Sequence, residues 1–210
     1  KKCKTPFIFI LTPDVILHKN CEKNLLTSII KLKKNFSILS PIAKDKNYGF
    51  WGQDKKSSKK IFEVDYVKGF AMLFNKKMII QTGMFDKNFF LYLEEIDLCK
   101  RIKLANHKIY VSKNSKVSHL AAKSSNIGDE YEKCRNWHWM WSKFYYSRKH
   151  YGYLIAIFNI SSNLISSIFK ILFYLFIFNG KKGKIYKMRF LGILNGLLCK
   201  KSWLRLKNIN

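Results

Sequence analysis

Three of the chain's 13 acidic residues, Glu94, Glu95 and Asp97, fall within four positions, directly after the aromatic run FFLYL. A carboxylate set between an apolar wall and a second carboxylate has its pKa raised, as a general base acting near neutral pH requires. A plainer account exists, because acids in the first turn of a helix are favoured by its unpaired N–H groups, by about 0.3–1 kcal/mol each. Asp97 also stands four residues before Arg101, the spacing of an ordinary helical ion pair. The plain account serves Asp97 well and the adjacent Glu94 and Glu95 less well. Asp14 is a second candidate: it follows Pro13 at the end of an apolar run, where α/β folds open their ligand crevice. An aspartate at a simple β-turn would look the same. His119 also follows a strand-like run, although a lone histidine is more often structural than a ligand. Spacing alone does not bring Asp14 and His119 together.

These residues need elements to position them. PFIFIL (6–11) reads as a short buried strand stopped by TPD, and the apolar spacing of 20–35 reads as a helix. FSILSPIA (36–43) reads as another strand. Residues 44–60 are polar and basic around Tyr48, Phe50 and Trp51 and read as a loop. Residues 61–75 read as a strand pair with Gly69 at a bend or close approach, followed by a short helix ending at Gly83. A helix is expected from Glu94 to about Ala105 with Asn106 as its left-handed cap, then a strand over 108–112 and a connection to His119. Strands alternate with helices, so the class is α/β.

The character changes near residues 125–130, which divides the chain into 1–128 and an aromatic, basic helical extension over 129–210. Residues 151–169 carry no charge and lie between the basic flanks SRKHY and NGKKGK. Basic residues on both sides fit helices lying in a membrane interface, or a helical hairpin, better than a single crossing. Trp137, Trp139, Trp141, Tyr145 and Tyr146 would suit the headgroup zone. A helical pair packed on the rest of the protein is the alternative.

The net charge of +27 calls for an anionic partner or reflects a compositional habit, since 35 of the 40 basic residues are lysine. Nucleic acid is not the expected partner. Arginine is scarce, and neither zinc-finger spacing nor an RNA-binding sheet motif is present. Five scattered cysteines without a CxxC pair suit a reducing compartment. KKCKTPFIFILTPD is not a secretory signal, its apolar run being too short. The start at Lys1, close to an apolar run, reads as a fragment or a processed product.

The stretch from DYVKGFAMLFN through GMFDKNFFLYLEEIDLCKR to SKVSH resembles the second half of a family 2 glycosyltransferase of the rhamnosyltransferase-like branch. Upstream, FIFILTPDVIL resembles the strand and turn that serve as the metal motif of these enzymes, with Thr12 where asparagine is usual. The resemblance covers about residues 5–150. It implies a GT-A-like mixed sheet, N-terminally truncated because two βα units that hold the nucleotide would precede it, with a C-terminal helical, membrane-associated extension. It implies that Asp14 and His119 bind a divalent metal, Mg2+ or Mn2+, on the donor diphosphate. Glu95 falls on the catalytic base and Glu94 on the acid before it, each a glutamate, where the family usually has aspartate at the base position. Gly69, Asp86, Trp51 and Asp97 stand as candidate substrate-binding residues.

The activity so implied is an inverting transfer of a sugar, rhamnose on the look of the branch, from a nucleotide-diphosphate donor to a lipid-linked saccharide or polysaccharide acceptor. It would operate at the cytoplasmic face of the cell membrane, on an anionic surface, in cell-surface glycan synthesis. A non-catalytic, membrane-associated binding protein related to such enzymes is the competing expectation.

Overall fold

The computed structural model describes residues 3–43, 58–120 and 128–206. The chain forms two compact units, one of Lys1–Asp86 with Glu95–Ser125 and one of Lys87–Glu94 with Asn126–Asn210.

The first unit is α/β. Its described elements are β1 (Phe7–Leu11), β2 (Val15–Leu17), α1 (Cys21–Lys31), β3 (Ile38–Ala43), β4 (Ile61–Glu63), β5 (Ala71–Asn75), α2 (Lys76–Gln81), α3 (Glu94–Leu104) and β6 (Ile109–His119). The strands form one mixed sheet in the order β1-β5-β3-β6-β2, with β4 also paired to β6. β3 and β6 are parallel, and the other pairs are antiparallel. The expected pairing within 61–75 does not occur: β4 joins β6, while β5 lies between β1 and β3.

Both faces of the sheet are covered, so its strands are apolar on both sides rather than alternating in polarity. Met72 and Phe74 of β5 face a core with Leu98, Cys99 and Ile102 of α3. Ala71 and Leu73, one residue out of phase, face Cys21, Leu25 and Ile29 of α1. The period of two along a strand divides these residues between the layers. Burial in these cores pushes the Cys99 thiol up to about 12 and the Cys21 thiol up to about 11, and both stay protonated.

β6 runs unbroken through the polar stretch Lys113-Asn114-Ser115. Its register with β3 shifts between Pro41 and Ile42, where proline offers no N–H to the ladder. The shift is stabilised by a buried chain of hydroxyls, Ser28 to Ser112 to Ser115, at 3.0 Å each. Asp97 is wholly buried and receives the Arg101 Nε at 2.9 Å. The same guanidinium donates to the carbonyls of Thr82 and Met84. It thereby ties α3 to the turn in which Gly83 and Met84 take left-handed φ values of 86° and 51°.

The second unit holds α4 (Gly128–Tyr151), α5 (Tyr153–Phe176) and α6 (Gly180–Leu197). α4 and α6 approach closely through Gly192 and Gly196, one turn apart on α6. A methyl group on Gly192 would lie 2.3 Å from the Trp137 carbonyl oxygen, and one on Gly196 would lie 2.9 Å from the Phe144 ring. Small residues at this spacing let two helix backbones meet. Gly192→Ala is therefore expected to cost about 1–3 kcal/mol, because helix backbone must move to admit the methyl. Gly183→Ala is the control, since its methyl would make an ordinary 3.8 Å contact with Tyr174. Thermal melts should show a lower midpoint for the first variant only. Equal midpoints would refute the close approach.

Trp137 and Trp141, expected at a membrane headgroup zone, are instead 1% and 2% exposed. Their i,i+4 spacing turns both inward, and the Trp141 N–H donates to the Lys200 carbonyl at 3.0 Å. His138, also fully buried, meets the Leu204 carbonyl through Nε2 at 2.8 Å and the Ser202 hydroxyl through Nδ1 at 3.2 Å. A carbonyl only accepts, so Nε2 carries the proton. Burial holds this imidazole below its ordinary value, and the nearby Arg205 charge acts the same way. The unfolded chain then binds the proton more readily than the folded one. The contribution is complete above the unfolded value of about 6.5 and falls as pH drops below it. The melting midpoint should decline from pH 7.5 to 5.5 less steeply in His138→Gln than in the wild type. Parallel profiles would show that His138 is not responsible.

α5 has a single charge, Lys170, and is the one helix among the described residues long and apolar enough to cross a membrane. Only Ala156, Ile160 and Ser167 of α5 are buried, whereas Phe158 is 79% and Phe176 82% exposed.

Candidate active site

The site in the first unit is made at one end of the sheet. β1 ends at Leu11 opposite Ala71, the first residue of β5, and β2 begins at Val15 opposite His119, the last residue of β6. The chain therefore crosses from one strand neighbourhood to the other in three residues, Thr12, Pro13 and Asp14. That turn is fixed at several points. Val15 N–H donates to the Thr12 carbonyl at 3.2 Å, Thr12 N–H to the Phe70 carbonyl at 3.0 Å, and Leu120 N–H to the Asp14 carbonyl at 2.9 Å.

The side chains converge as a result. The Thr12 hydroxyl donates to Asp14 Oδ1 at 2.6 Å. Asp14 Oδ2 lies 3.2 Å from His119 Nε2, and both side chains are mostly buried. The Phe70 ring stacks on the His119 imidazole, centroids 4.6 Å apart and planes 20° apart. Asp14 and His119, distant in sequence, thus form one pair. Thr12 serves as a hydrogen-bond donor to it.

Glu95 is brought toward the same backbone. A methyl group built on Gly69 would lie 3.7 Å from Glu95 Cβ and 3.8 Å from its Cγ, so the glutamate stem packs over this glycine. Gly69 is there for close approach, not for a left-handed turn, since its φ is not positive. The next residue, Phe70, carries both the stack on His119 and the bond to Thr12. Two consecutive residues therefore adjoin Glu95 on one side and the Asp14–His119 pair on the other. Just before α3, Tyr92 and Leu93 both have left-handed φ, 68° and 67°, a cost of about 1–3 kcal/mol each.

Of the other candidates, Asp97 is wholly buried in its pair with Arg101. Asp86 is half-buried in the turn after α2. Trp51 lies outside the described residues. Phe70 was not singled out by sequence, because nothing local marks an aromatic residue before a strand as a histidine's stacking partner.

Asp14 Oδ2 and His119 Nε2 are within hydrogen-bonding range of each other, and their spacing is also one that a single cation allows. Two metal–ligand bonds of about 2.1 Å meeting near a right angle hold their donor atoms about 3 Å apart, close to the 3.2 Å between Oδ2 and Nε2. Among the described residues no cluster of three or more His, Cys, Asp or Glu that could hold a metal ion is present. Comparison with protein-family models finds no match, and comparison with curated proteins finds none either.

Proposed function

We propose that the chain is an inverting, metal-dependent glycosyltransferase unit acting at a membrane surface on a nucleotide-diphosphate sugar, with a lipid-linked saccharide as acceptor. The observation that carries this reading is the convergence at one sheet end of the Asp14–His119 pair and, through Gly69 and Phe70, of Glu95.

In this reading Glu95 takes the proton of the acceptor hydroxyl as that oxygen forms its bond to the anomeric carbon. The bond from that carbon to the diphosphate breaks on the opposite face, and the electron pair leaves with the diphosphate, so the anomeric configuration inverts. Asp14 and His119 would hold the divalent cation, which supplies positive charge against the departing diphosphate. Thr12 and Phe70 keep that pair oriented. The base and the cation ligands are separate groups, as the chemistry requires.

Membrane attachment is supported by α5. An exposed apolar face of this length is unusual on a soluble protein. α5 packs along α4 and α6, both rich in charge, which favours a helix lying in the interface over one crossing the bilayer. Basic residues at Arg148, Lys149, Lys181 and Lys182 flank it, each worth about 1 kcal/mol near an anionic surface.

The test is incorporation of labelled sugar from a panel of nucleotide-diphosphate donors into lipid extract by the full-length gene product. Incorporation that needs Mg2+ or Mn2+ supports the proposal. No incorporation from any donor, with the protein folded and membrane-bound, refutes it.

A further inference from the structure

The helical unit contains a cavity of about 360 Å3 lined by Tyr92, Glu132, Arg135, Asn136, Trp139 and Arg189. The transfer chemistry proposed above makes no use of it. Two of the chain's five arginines meet here, in a protein that otherwise relies on lysine for positive charge.

Both guanidiniums are held in place from the stem side. Arg135 donates from Nε to the Tyr92 hydroxyl at 2.6 Å and from Nη1 to Glu132 at 2.7 Å. Arg189 donates from Nε to Asn136 Oδ1 at 2.7 Å, and its guanidinium lies over the Tyr186 ring, 5.1 Å from the centroid. Asn136 is itself fixed by donating to the Glu132 carbonyl at 2.8 Å. A guanidinium has five N–H donors. Among the described residues, neither terminal nitrogen of Arg189 and not the Nη2 of Arg135 bonds to protein. Holding Arg189 through Nε leaves both of its terminal nitrogens for bidentate contact, and Arg135 keeps its Nη2.

Glu132 offsets one of the two positive charges, so the cavity keeps a net charge of one. Open donors on two separate guanidiniums suit a tetrahedral anion with oxygens on several sides. A planar carboxylate needs only one fork. Tyr92 and Trp139, whose rings meet edge to face at 5.3 Å, add aromatic surface for an attached group. The volume is within the range of small-ligand sites.

We propose that this cavity binds a phosphate ester, with Arg189 and Arg135 gripping the phosphate oxygens. The phosphate could belong to a lipid headgroup or to a soluble molecule. The purified full chain in neutral detergent is titrated with inorganic pyrophosphate, and separately with phosphatidylcholine vesicles with and without phosphatidic acid, following tryptophan fluorescence. Saturable binding to pyrophosphate, to phosphatidic acid vesicles or to both is expected. A response to pyrophosphate alone assigns a soluble ligand, and one to the acidic vesicles assigns a lipid. Arg189→Gln should weaken it roughly tenfold or more, the loss of charge-assisted hydrogen bonds. Arg189→Lys, which keeps the charge but not the fork, should weaken it several-fold. Lys201→Gln, exposed and outside the cavity, should leave it unchanged and so controls for general attraction to a basic protein. Wild-type affinity in the folded Arg189→Lys and Arg189→Gln proteins, or no binding to either probe, overturns the proposal. Sugar transfer is not measured here, so the outcome is independent of the proposed activity.

Discussion

Glu95→Gln is expected to lower sugar transfer by about 100-fold or more, the usual scale for losing a general base, while leaving donor affinity nearly unchanged. The amide keeps the shape of the side chain and its packing over Gly69, so the fold should survive. What is lost is the ability to take the acceptor proton. About 100-fold corresponds to about 2.7 kcal/mol in the barrier. Glu94→Gln is the necessary control, because the two glutamates are adjacent. If Glu94→Gln lost the activity and Glu95→Gln kept it, the base would be Glu94. If both retained full activity, neither carboxylate would be the base. The test is a comparison of kcat and donor KM across the three proteins.

Asp14→Asn is expected to weaken Mn2+ affinity by at least about 100-fold, and transfer with it. Losing a partner that merely supports a metal ligand costs about 10- to 100-fold, so removal of a ligand charge should reach the upper end. Asn is close in size and can still accept from the Thr12 hydroxyl, which donates to Asp14 Oδ1 at 2.6 Å. The turn should therefore persist, and circular dichroism should match the wild type. Excess Mn2+ should restore part of the activity. Direct Mn2+ titration followed by electron paramagnetic resonance checks the affinity, and an unchanged affinity would remove Asp14 from the cation site.

Much of the α/β unit was legible because its elements are short and strongly patterned. The helix at 21–31 buries Leu25 and Ile29 as its spacing implied, although Ile30 of the same run is 75% exposed. Asn106 adopts the left-handed conformation expected of a cap, φ 56°. Non-local pairing was not legible. β4 and β5 adjoin in sequence but pair with different strands, and the polar residues 113–115 hid the length of β6.

The site was readable as residue types and unreadable as a place. Asp14 meets His119 only because Val15 is in register with His119, and no local signal carries that register. Gly69 was recognisable as a point of close approach, but not what approaches it. In the helical unit, three tryptophans at alternate positions suggested a surface belt, whereas helical geometry buries two of them. The Gly192 and Gly196 spacing was available as a signal for close helix packing.

The most direct measurement is the anomeric configuration of the product, read by proton NMR after transfer from a donor of known configuration by the full-length gene product. A single carboxylate base acting opposite a departing diphosphate predicts one displacement, so the new glycosidic bond should have the inverted configuration. It should also be absent from the Glu95→Gln reaction over the same time. A product of retained configuration would contradict the account, as would inverted product formed at the wild-type rate without Glu95.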